Sequence, residues 1–269
     1  MTQISILGCG WLGLPLAKAL LENGLSINGS TTSNGKLQVL ENLGIQPFLI
    51  ALNSKSVSGD IEVFLNGSKT LIIDIPPKLR GNSKEDFVVK IKTLIPFIEK
   101  STIENVLFIS STSVYGDTST ALSVTEETKT CPETESGRQL VLAEQLLQSN
   151  SNFKTTILRF GGLIGEDRHP IHFLAGRTNL ENPDAPINLI HQDDCIGIIL
   201  KILRKNSWNE TFNAVTPFHP GRKEYYTQKA KDLNLVPPEF NYENPAFGKT
   251  ILSSKLENVL GYTFSKPNL

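Results

Sequence analysis

The stretch "ISILGCGWLGLPLAKAL" (residues 4–20) joins an apolar strand to a helix through a short glycine-rich turn. Its glycines stand in GxGxxG spacing and are Gly8, Gly10 and Gly13. Between a strand and a helix, the first glycine makes the tight turn, the second lets a pyrophosphate reach the backbone, and the third lets helix and strand pack closely. Free N–H groups near Trp11 and Leu12 would face the pyrophosphate at the helix N-terminus. The stretch therefore predicts a dinucleotide-binding βαβ unit, and a purely structural turn is the alternative.

The end of the second predicted strand bears on which dinucleotide binds. A carboxylate about 20 residues beyond the glycines would accept a hydrogen bond from the ribose 2′-OH of NAD. The segment "INGSTTSNGK" (27–36) contains no Asp or Glu. It offers hydrogen-bond donors instead, namely Ser30, Thr31, Thr32, Ser33 and Lys36. Because hydroxyls and a cation suit a 2′-phosphate, the segment predicts NADP in preference to NAD. A hydroxyl-rich turn that caps the next helix is the alternative.

The composition is that of a globular protein with no bias toward polyanionic partners. Of 269 residues, 39% are hydrophobic and 20% are charged, and the net charge is −1. This length suits one large α/β domain or a core domain with a smaller cap, and the charge gives no reason to expect nucleic acid or a membrane as partner. The three cysteines (Cys9, Cys131 and Cys195) match neither a disulfide framework nor a metal site. Since no run reaches the roughly 18 apolar residues of a membrane span, we expect a cytoplasmic protein without a bound metal.

Short apolar runs alternate with longer amphipathic ones in the first half of the chain, which is typical of βαβ units on a parallel sheet. We expect an α/β fold, a Rossmann-like doubly wound parallel sheet with a small C-terminal lobe that faces the substrate. Residues 1–165 would form the NAD(P)-binding domain and residues 166–269 the C-terminal part, with elements near 187–217 returning to the core. Further expectations are a strand over 47–52 and helices over 84–100 and 137–149. Residues 187–205 should form a short strand followed by a helix, which Asp193 or Asp194 would cap.

A second motif, "LFISSTSVYGD" (107–117), places hydroxyls at the carboxyl end of a strand, where open α/β sheets bind ligands. With the glycine motif, it makes the chain resemble the extended branch of the short-chain dehydrogenase/reductase superfamily, the NAD-dependent epimerase/dehydratase type. More narrowly, the chain is similar to an atypical bacterial group called YeeZ-like. The segments that carry the resemblance run nearly end to end: "GCGWLGLPLAKAL", "GSTT", "SSTSVYGD", "SGR", "LRFGGLIG", "RHP", "NLIHQDD", "FNAVTPFHPGR" and "LGYTF".

The resemblance implies a catalytic Ser or Thr, together with Tyr and Lys in a YxxxK motif. The catalytic hydroxyl falls on Ser111, and a gap-free count from Val114 puts the Tyr and the Lys at Ser136 and Leu140. A serine hydroxyl has a much higher pKa than a phenol, and Leu140 can neither lower a pKa nor bind a ribose hydroxyl. The chain therefore lacks the usual acid/base pair but keeps the phosphate-binding glycines. The expected cofactor contacts are completed by Pro76, Ser110 and Ser111.

Other side chains could take over the transfer of the proton. The candidates are Tyr115, His169 and His191. Tyr115 could instead wall the pocket, and a lone histidine is more often structural than catalytic. Arg168, His169 and Arg138 could bind an anionic group of the substrate, although an arginine can equally serve packing or the surface.

Two functions stay open from the sequence. The first is an NADP(H)-dependent enzyme of the epimerase/dehydratase type, in which Ser111 hydrogen-bonds the reacting oxygen of an unidentified small-molecule substrate. The second is a non-catalytic NADP(H)-binding sensor or regulator, which the loss of YxxxK favours. The intact hydroxyl cluster favours the enzyme. Because members of this superfamily often dimerise through a helix pair that includes residues 137–149, we expect a monomer or a homodimer.

Overall fold

A seven-stranded sheet, with every pairing parallel, forms the centre of the protein. The computed structural model describes residues 3–77, 79, 86–116, 122–243 and 248–269. The described strands are β1 (Gln3–Leu7), β2 (Ser26–Thr31), β3 (Gln46–Leu49), β4 (Ala51–Leu52), β5 (Val57–Ser58), β6 (Ser68–Ile73), β7 (Asn105–Ser111), β8 (Leu122–Val124), β9 (Lys154–Phe160), β10 (Gly162–Ile164), β11 (Leu189–His191), β12 (Thr211–Ala214) and β13 (Lys249–Ile251). The described α-helices are α1 (Gly13–Glu22), α2 (Leu37–Asn42), α3 (Ile61–Leu65), α4 (Phe87–Lys100), α5 (Glu135–Gln148), α6 (Ile171–Leu174), α7 (Gln192–Lys205) and α8 (Arg222–Asp232).

The order of the strands across the sheet is β12-β9-β7-β6-β1-β2-β3. From β1 the chain winds outward to β3 on one side, and then from β6 to β12 on the other side. The direction therefore reverses between β1 and β6. Open α/β sheets bind their ligands in the crevice beyond the carboxyl ends of the strands at such a reversal. This topology confirms the predicted doubly wound parallel sheet.

Apolar side chains cover both faces of the sheet. Along β6, Leu71 and Ile73 belong to one core cluster and Ile72 to the other, as the alternation of side chains along a strand requires. The first cluster packs α3, α4 and α5 against the sheet, and the second packs α1, α2 and α7 against the opposite face. Both faces are thus buried, which explains why the central strands read as nearly continuous apolar runs.

The C-terminal part adds a smaller lobe with its own apolar cluster. Strands β10 and β11 pair in a separate two-stranded sheet. The lobe's cluster includes Ile171 of α6 and the adjacent Tyr225 and Tyr226 of α8. Strand β12 returns to the central sheet and pairs with β9 at its edge. The predicted boundary between residues 165 and 166 stays a prediction. Within the described part of the chain, no helix has both the length and the apolarity that a bilayer crossing needs.

Several element boundaries differ from the sequence-based expectations. The strand expected over 47–52 is divided, because Ala51–Leu52 turns away to form an antiparallel hairpin with β5. Helix α5 begins at Glu135 rather than at 137, since Thr134 caps it by accepting a hydrogen bond from the Gly137 N–H at 3.1 Å. The helix expected over 84–100 is described from Phe87, after the cap Asp86; residues 84 and 85 lie outside the described residues.

The predicted cap of α7 was wrong. His191 is the N-cap, and its Nδ1 accepts a hydrogen bond from the Asp193 N–H at 3.2 Å. Asp194 is buried instead and binds the segment that follows Leu260. Its carboxylate accepts hydrogen bonds from the Tyr262 hydroxyl at 2.7 Å and from the backbone N–H of Ser265 at 2.7 Å.

Candidate functional site

The glycine-rich turn lies at the reversal point of the sheet, between the ends of β1 and β6. Gly8 has a φ of +111°, and a Cβ on it would lie 2.2 Å from the carbonyl oxygen of Asp74. A Cβ on Gly13 would lie 2.2 Å from the carbonyl oxygen of Gly8. At Gly10, by contrast, a Cβ would have nothing within 4 Å. Two of the glycines are therefore required for packing, and the third leaves the backbone open to an approaching group, which is the arrangement that a pyrophosphate needs.

A cleft of about 240 Å³ extends from this turn along the end of β2. The predicted cofactor residues that line it are Gly8, Gly10, Ser30, Thr31, Thr32, Lys36 and Pro76. Sequence reasoning did not single out several further lining residues, among them Cys9, Ile50, Leu52, Asp74, Phe87 and Lys90. Ile50, Leu52 and Phe87 are apolar and give the cleft a wall against which a planar ring can pack. The cleft thus joins a phosphate-binding end to an apolar end.

Two of the predicted hydroxyls are used in hydrogen bonds within the protein. Ser30 is buried, and its Oγ accepts a hydrogen bond from the Gly8 N–H at 2.9 Å. Thr31 is also buried, and its Oγ1 accepts from the Ser33 N–H at 3.1 Å. Thr32, Ser33 and Lys36 are exposed. Among the residues predicted to bind a 2′-phosphate, these three exposed ones are therefore the ones that a ligand could contact directly.

Asp74 is a residue of the site that the sequence analysis missed. It follows β6, and its Oδ2 would lie 3.1 Å from a Cβ on Gly13. The carboxylate therefore lies beside the backbone of Gly13 at the start of α1. Burial raises the pKa of Asp74 to about 7, although the Gly13 backbone amide and the nearby Arg168 oppose this rise. Its sequence signal was an acidic residue directly after an apolar strand, "IIDIPP".

Trp11 connects the glycine-rich turn to the loop after β10. Its Nε1 donates to the Asp167 carboxylate at 2.8 Å, and the guanidinium carbon of Arg168 lies 4.8 Å from the centre of its ring. The Gln192 side chain also donates to the Trp11 carbonyl at 2.7 Å. Arg168, a predicted substrate residue, therefore lies beside the phosphate-binding turn. Leu12 is buried in the core.

The two serines at the end of β7 have different environments. Ser110 is buried, and its hydroxyl donates to Oε1 of Glu144 at 2.5 Å. Ser111 is half-buried, and its Oγ accepts a hydrogen bond from the Ser113 N–H at 3.1 Å. Of these two serines, Ser111 is thus the one that keeps an accessible hydroxyl at the carboxyl edge of the sheet. The hydroxyl of Ser110 is occupied inside the protein rather than offered to a cofactor.

Tyr115 is part of a buried polar network. Its hydroxyl accepts a hydrogen bond from Nη1 of Arg159 at 2.6 Å and donates to Oδ1 of Asn213 at 3.0 Å. Arg159 in turn binds Glu144 on α5, with Nη2 at 2.6 Å from Oε2. With its side chain only 3% exposed, Tyr115 is placed for a structural role rather than for proton transfer to a substrate. Arg159 and Asn213 had no signal strong enough to indicate this network from the sequence.

The predicted residues His169 and Arg138 lie on different parts of the fold, and each is bonded within the protein. His169 is buried, its Nδ1 accepts from the Ile171 N–H at 3.1 Å, and its Nε2 lies 3.0 Å from the Tyr225 hydroxyl. Burial lowers the pKa of His169 to about 4, so that the ring is neutral and both nitrogens are occupied. Arg138 lies on the exposed face of α5 and pairs with Glu135 at 3.0 Å.

His191 is the remaining candidate for the acid/base role. It ends β11 and is half-buried next to Gln192, whose side chain contacts the turn at Trp11. Its Nδ1 is used to cap α7, and among the described residues its Nε2 has no hydrogen-bond partner. Of the three candidates for proton transfer, His191 is therefore the one whose titratable atom, Nε2, is not bonded to another described residue.

Comparison with known proteins supports the same family. The chain is 34% identical to Protein YeeZ of Escherichia coli (strain K12) over 271 residues, which cover 100% of this chain and 97% of that protein. A functionally unknown conserved protein from Silicibacter pomeroyi DSS superimposes with a TM-score of 0.81 at 21% identity, covering 100% of this chain and 95% of that one.

The UDP-glucuronic acid 4-epimerase from Bacillus cereus, solved in complex with UDP-glucuronic acid and NAD, gives a TM-score of 0.80 at 21% identity, with coverage of 98% and 94%. No protein-family model matches the chain. The structural likeness shows a shared fold, and the identity with Protein YeeZ extends over the whole chain. The chain therefore belongs to the family of Protein YeeZ.

Proposed function

We propose that the protein binds NADP(H) in the cleft at the reversal point of the sheet and acts as an enzyme of the epimerase/dehydratase type without the usual YxxxK pair. One observation carries this proposal. The turn formed by Gly8, Gly10 and Gly13 has both the packing and the open approach that a pyrophosphate requires, and the lined cleft leads from it to an apolar wall. The residues present therefore fit a dinucleotide.

The preference for NADP over NAD rests on the charges at the end of β2. Lys36 and Lys90 line the cleft together with Thr32 and Ser33. These side chains can donate hydrogen bonds and supply positive charge to a 2′-phosphate. Asp74 is the carboxylate that lines the described cleft, and it lies at the glycine-rich end, beside Gly13. No carboxylate among the described lining residues thus stands where NAD would need one for its ribose.

A bound nicotinamide dinucleotide would supply hydride transfer, and the chain's own residues would handle the substrate oxygen and the proton. Ser111 would donate a hydrogen bond to the reacting oxygen, because its hydroxyl is accessible at the end of β7. His191 would hold or release the proton at Nε2, which is open whereas Tyr115 and His169 are bonded within the fold.

A non-catalytic NADP(H) sensor is the second candidate, and one observation favours it. Leu140, at the place of the family's lysine, is 3% exposed and belongs to the core cluster of α4 and α5. The helix that usually presents the acid/base pair to the cofactor therefore turns an apolar residue into the protein interior. A protein of this kind would bind the dinucleotide and respond to its redox state without turning over a substrate.

Titration with NADPH and NADH, followed by nicotinamide fluorescence, tests the cofactor proposal. We expect NADPH to bind at least about tenfold more tightly than NADH, and Lys36→Ala to remove most of that difference, since about 1.4 kcal/mol corresponds to a factor of ten. Lys100→Ala is the matched control, because it removes an exposed lysine at the far end of α4. Equal binding of the two dinucleotides would contradict the NADP preference, and no binding of either would contradict the cofactor site.

Turnover separates the enzyme from the sensor. UDP-glucuronic acid, the molecule bound by the Bacillus cereus epimerase, and other nucleotide sugars are the first substrates to test with NADP⁺. His191→Asn keeps an N-cap for α7 but removes the imidazole, so it should abolish turnover and leave NADP⁺ affinity unchanged. A Lys205→Ala control, which alters an exposed side chain in the last turn of α7, should retain activity. Turnover that survives in His191→Asn would exclude the proposed proton-transfer role, and dinucleotide binding without any turnover would favour the sensor.

A further inference from the structure

The carboxylate of Asp74 lies at the N-terminus of α1, where an anion is favoured. Its Oδ2 lies beside the backbone of Gly13, and the residue lines the same cleft as Gly8 and Gly10. The first turn of a helix attracts negative charge because its N–H groups are free and its dipole is positive there. In the absence of a dinucleotide, Asp74 thus provides negative charge to the same helix end to which a pyrophosphate would bind.

Among the described groups, Arg168 is the cation whose charge lowers the pKa of Asp74, and this single positive charge does not offset both the carboxylate and a pyrophosphate. Arg168 faces it from the loop after β10. Cys9, on the glycine-rich turn, and Cys195, on α7, are buried thiols whose pKa values are raised by burial, so both are neutral. Lys36 and Lys90 line the same cleft. A carboxylate and a pyrophosphate a few Å apart would repel strongly in this partly buried setting, and the usual response of such a pair is that one member takes up a proton.

We propose that Asp74 takes up a proton when a dinucleotide pyrophosphate binds at the glycine-rich turn, and that this proton uptake sets the pH range in which the protein binds its cofactor. The proposal rests on the proposed dinucleotide function. It makes Asp74 a positioning residue for the pyrophosphate: the neutral carboxyl can itself donate a hydrogen bond to a phosphate oxygen, whereas the ionised form can only accept one.

The titration of Asp74 places this coupling near neutral pH. Its pKa is raised to about 7, so the carboxyl is partly protonated under ordinary conditions. Above that pH the carboxylate must be protonated as the ligand binds, and the affinity falls by up to about tenfold per pH unit, the limit for one linked proton. The 2′-phosphate of NADP⁺ titrates near pH 6 and binds lysines better once it is ionised. This second titration would make the affinity rise with pH, whereas the titration of Asp74 makes it fall.

Calorimetric titration of the full chain with NADP⁺ tests the proposal. Binding would be measured between about pH 6 and about pH 8.5, and near pH 8 in two buffers of different ionisation enthalpy, so that the number of protons exchanged is obtained directly. For the wild type we expect close to one proton taken up near pH 8 and an affinity that falls by at least about fivefold from pH 7 to 8.5. The number of protons taken up is measured on the wild type alone, so this test remains valid even if a variant folds poorly.

Asp74→Asn keeps the shape of the side chain and removes the titration. It should bind NADP⁺ near pH 8 at least as tightly as the wild type, with less than about a twofold change across the same range and no proton uptake. Asp184→Asn, which alters an exposed carboxylate of the lobe, should behave like the wild type. Equal pH dependence in Asp74→Asn and the wild type, or no proton uptake by the wild type, would overturn the role of Asp74. If neither protein binds at any pH, the dinucleotide proposal fails, and this inference with it.

Discussion

Arg159 and Glu144 form a buried ion pair between β9 and α5. Nη2 of Arg159 lies 2.6 Å from Oε2 of Glu144, and its Nε lies 3.1 Å from Oε1. Their side chains are 9% and 3% exposed. The pair also binds the hydroxyls of Tyr115 and Ser110. The end of β7, where Ser111 lies, is thereby fixed to the helix that follows it, and the candidate site depends on this connection for its shape.

Removing one partner of this pair should destabilise the protein strongly. Glu144→Ala or Arg159→Ala would leave an uncompensated charge in the interior, for which a loss of about 3–5 kcal/mol in the free energy of unfolding is typical. The double variant Glu144→Leu with Arg159→Met should recover a large part of that loss, because no charge stays buried. Urea unfolding followed by circular dichroism measures both effects. A loss below about 1 kcal/mol in the single variants would show that the pair contributes little.

The three glycines of the turn should respond differently to alanine. Gly8→Ala and Gly13→Ala should each destabilise the fold by several kcal/mol, since their Cβ atoms would each lie 2.2 Å from a carbonyl oxygen. Gly10→Ala should change stability by less than about 1 kcal/mol, because its Cβ meets nothing within 4 Å, but it should weaken NADPH binding at least about tenfold. Thermal unfolding and fluorescence titration separate the two effects. Similar behaviour of all three variants would contradict the assigned roles.

His169 should make the protein less stable in acid. Burial lowers its pKa from 6.5 to about 4, so the unfolded chain binds the proton more readily than the folded one. The stabilisation is complete above pH 6.5 and is lost as the pH falls from 6.5 toward 4, at about 1.4 kcal/mol per unit of pKa difference. The difference in unfolding free energy between the wild type and His169→Gln should therefore shrink over this range. A difference that does not depend on pH would contradict the buried neutral imidazole.

Asp74 should have the opposite effect on stability. Its pKa rises from 3.8 to about 7 on folding, so the folded chain binds the proton more readily than the unfolded one. Stability is highest below pH 3.8, falls as the pH rises to about 7, and changes no further above that pH. Asp74→Asn should accordingly be more stable than the wild type at pH 8, by about 1.4 kcal/mol for each unit of the shift. Thermal unfolding without ligand measures this, and a less stable variant would contradict it.

Local sequence patterns identified the parts of the site that depend on neighbouring residues. The spacing of Gly8, Gly10 and Gly13 indicated the turn because its geometry is decided within one βαβ unit. Asp74 was missed, and the place of Arg168 beside the turn was not foreseen, for the opposite reason. One follows β6 and the other a strand of the lobe, and only the folded sheet brings both to the start of α1. The fold class was predictable from periodicity, whereas these contacts across the chain were not.

The same limit explains the reading of Tyr115 and His169 as acid/base residues. Both residue types suit proton transfer, and a sequence shows residue types but not their partners. Tyr115 is bonded to Arg159 and Asn213, which lie far away along the chain. His169 is enclosed by Tyr225, which belongs to α8. Burial and long-range hydrogen bonds decide whether such a side chain reacts, and both arise only when the elements pack.

The burial of Leu140 has a consequence for any attempt to engineer an acid/base pair on α5. Leu140→Lys would place an ammonium group in a core that packs around an apolar side chain, and an unpaired buried charge is among the most destabilising changes known. Ser136→Tyr alone would supply a phenol without a cation to lower its pKa. Neither substitution is sufficient by itself, so a working pair at these two positions would require the core around α5 to be repacked first.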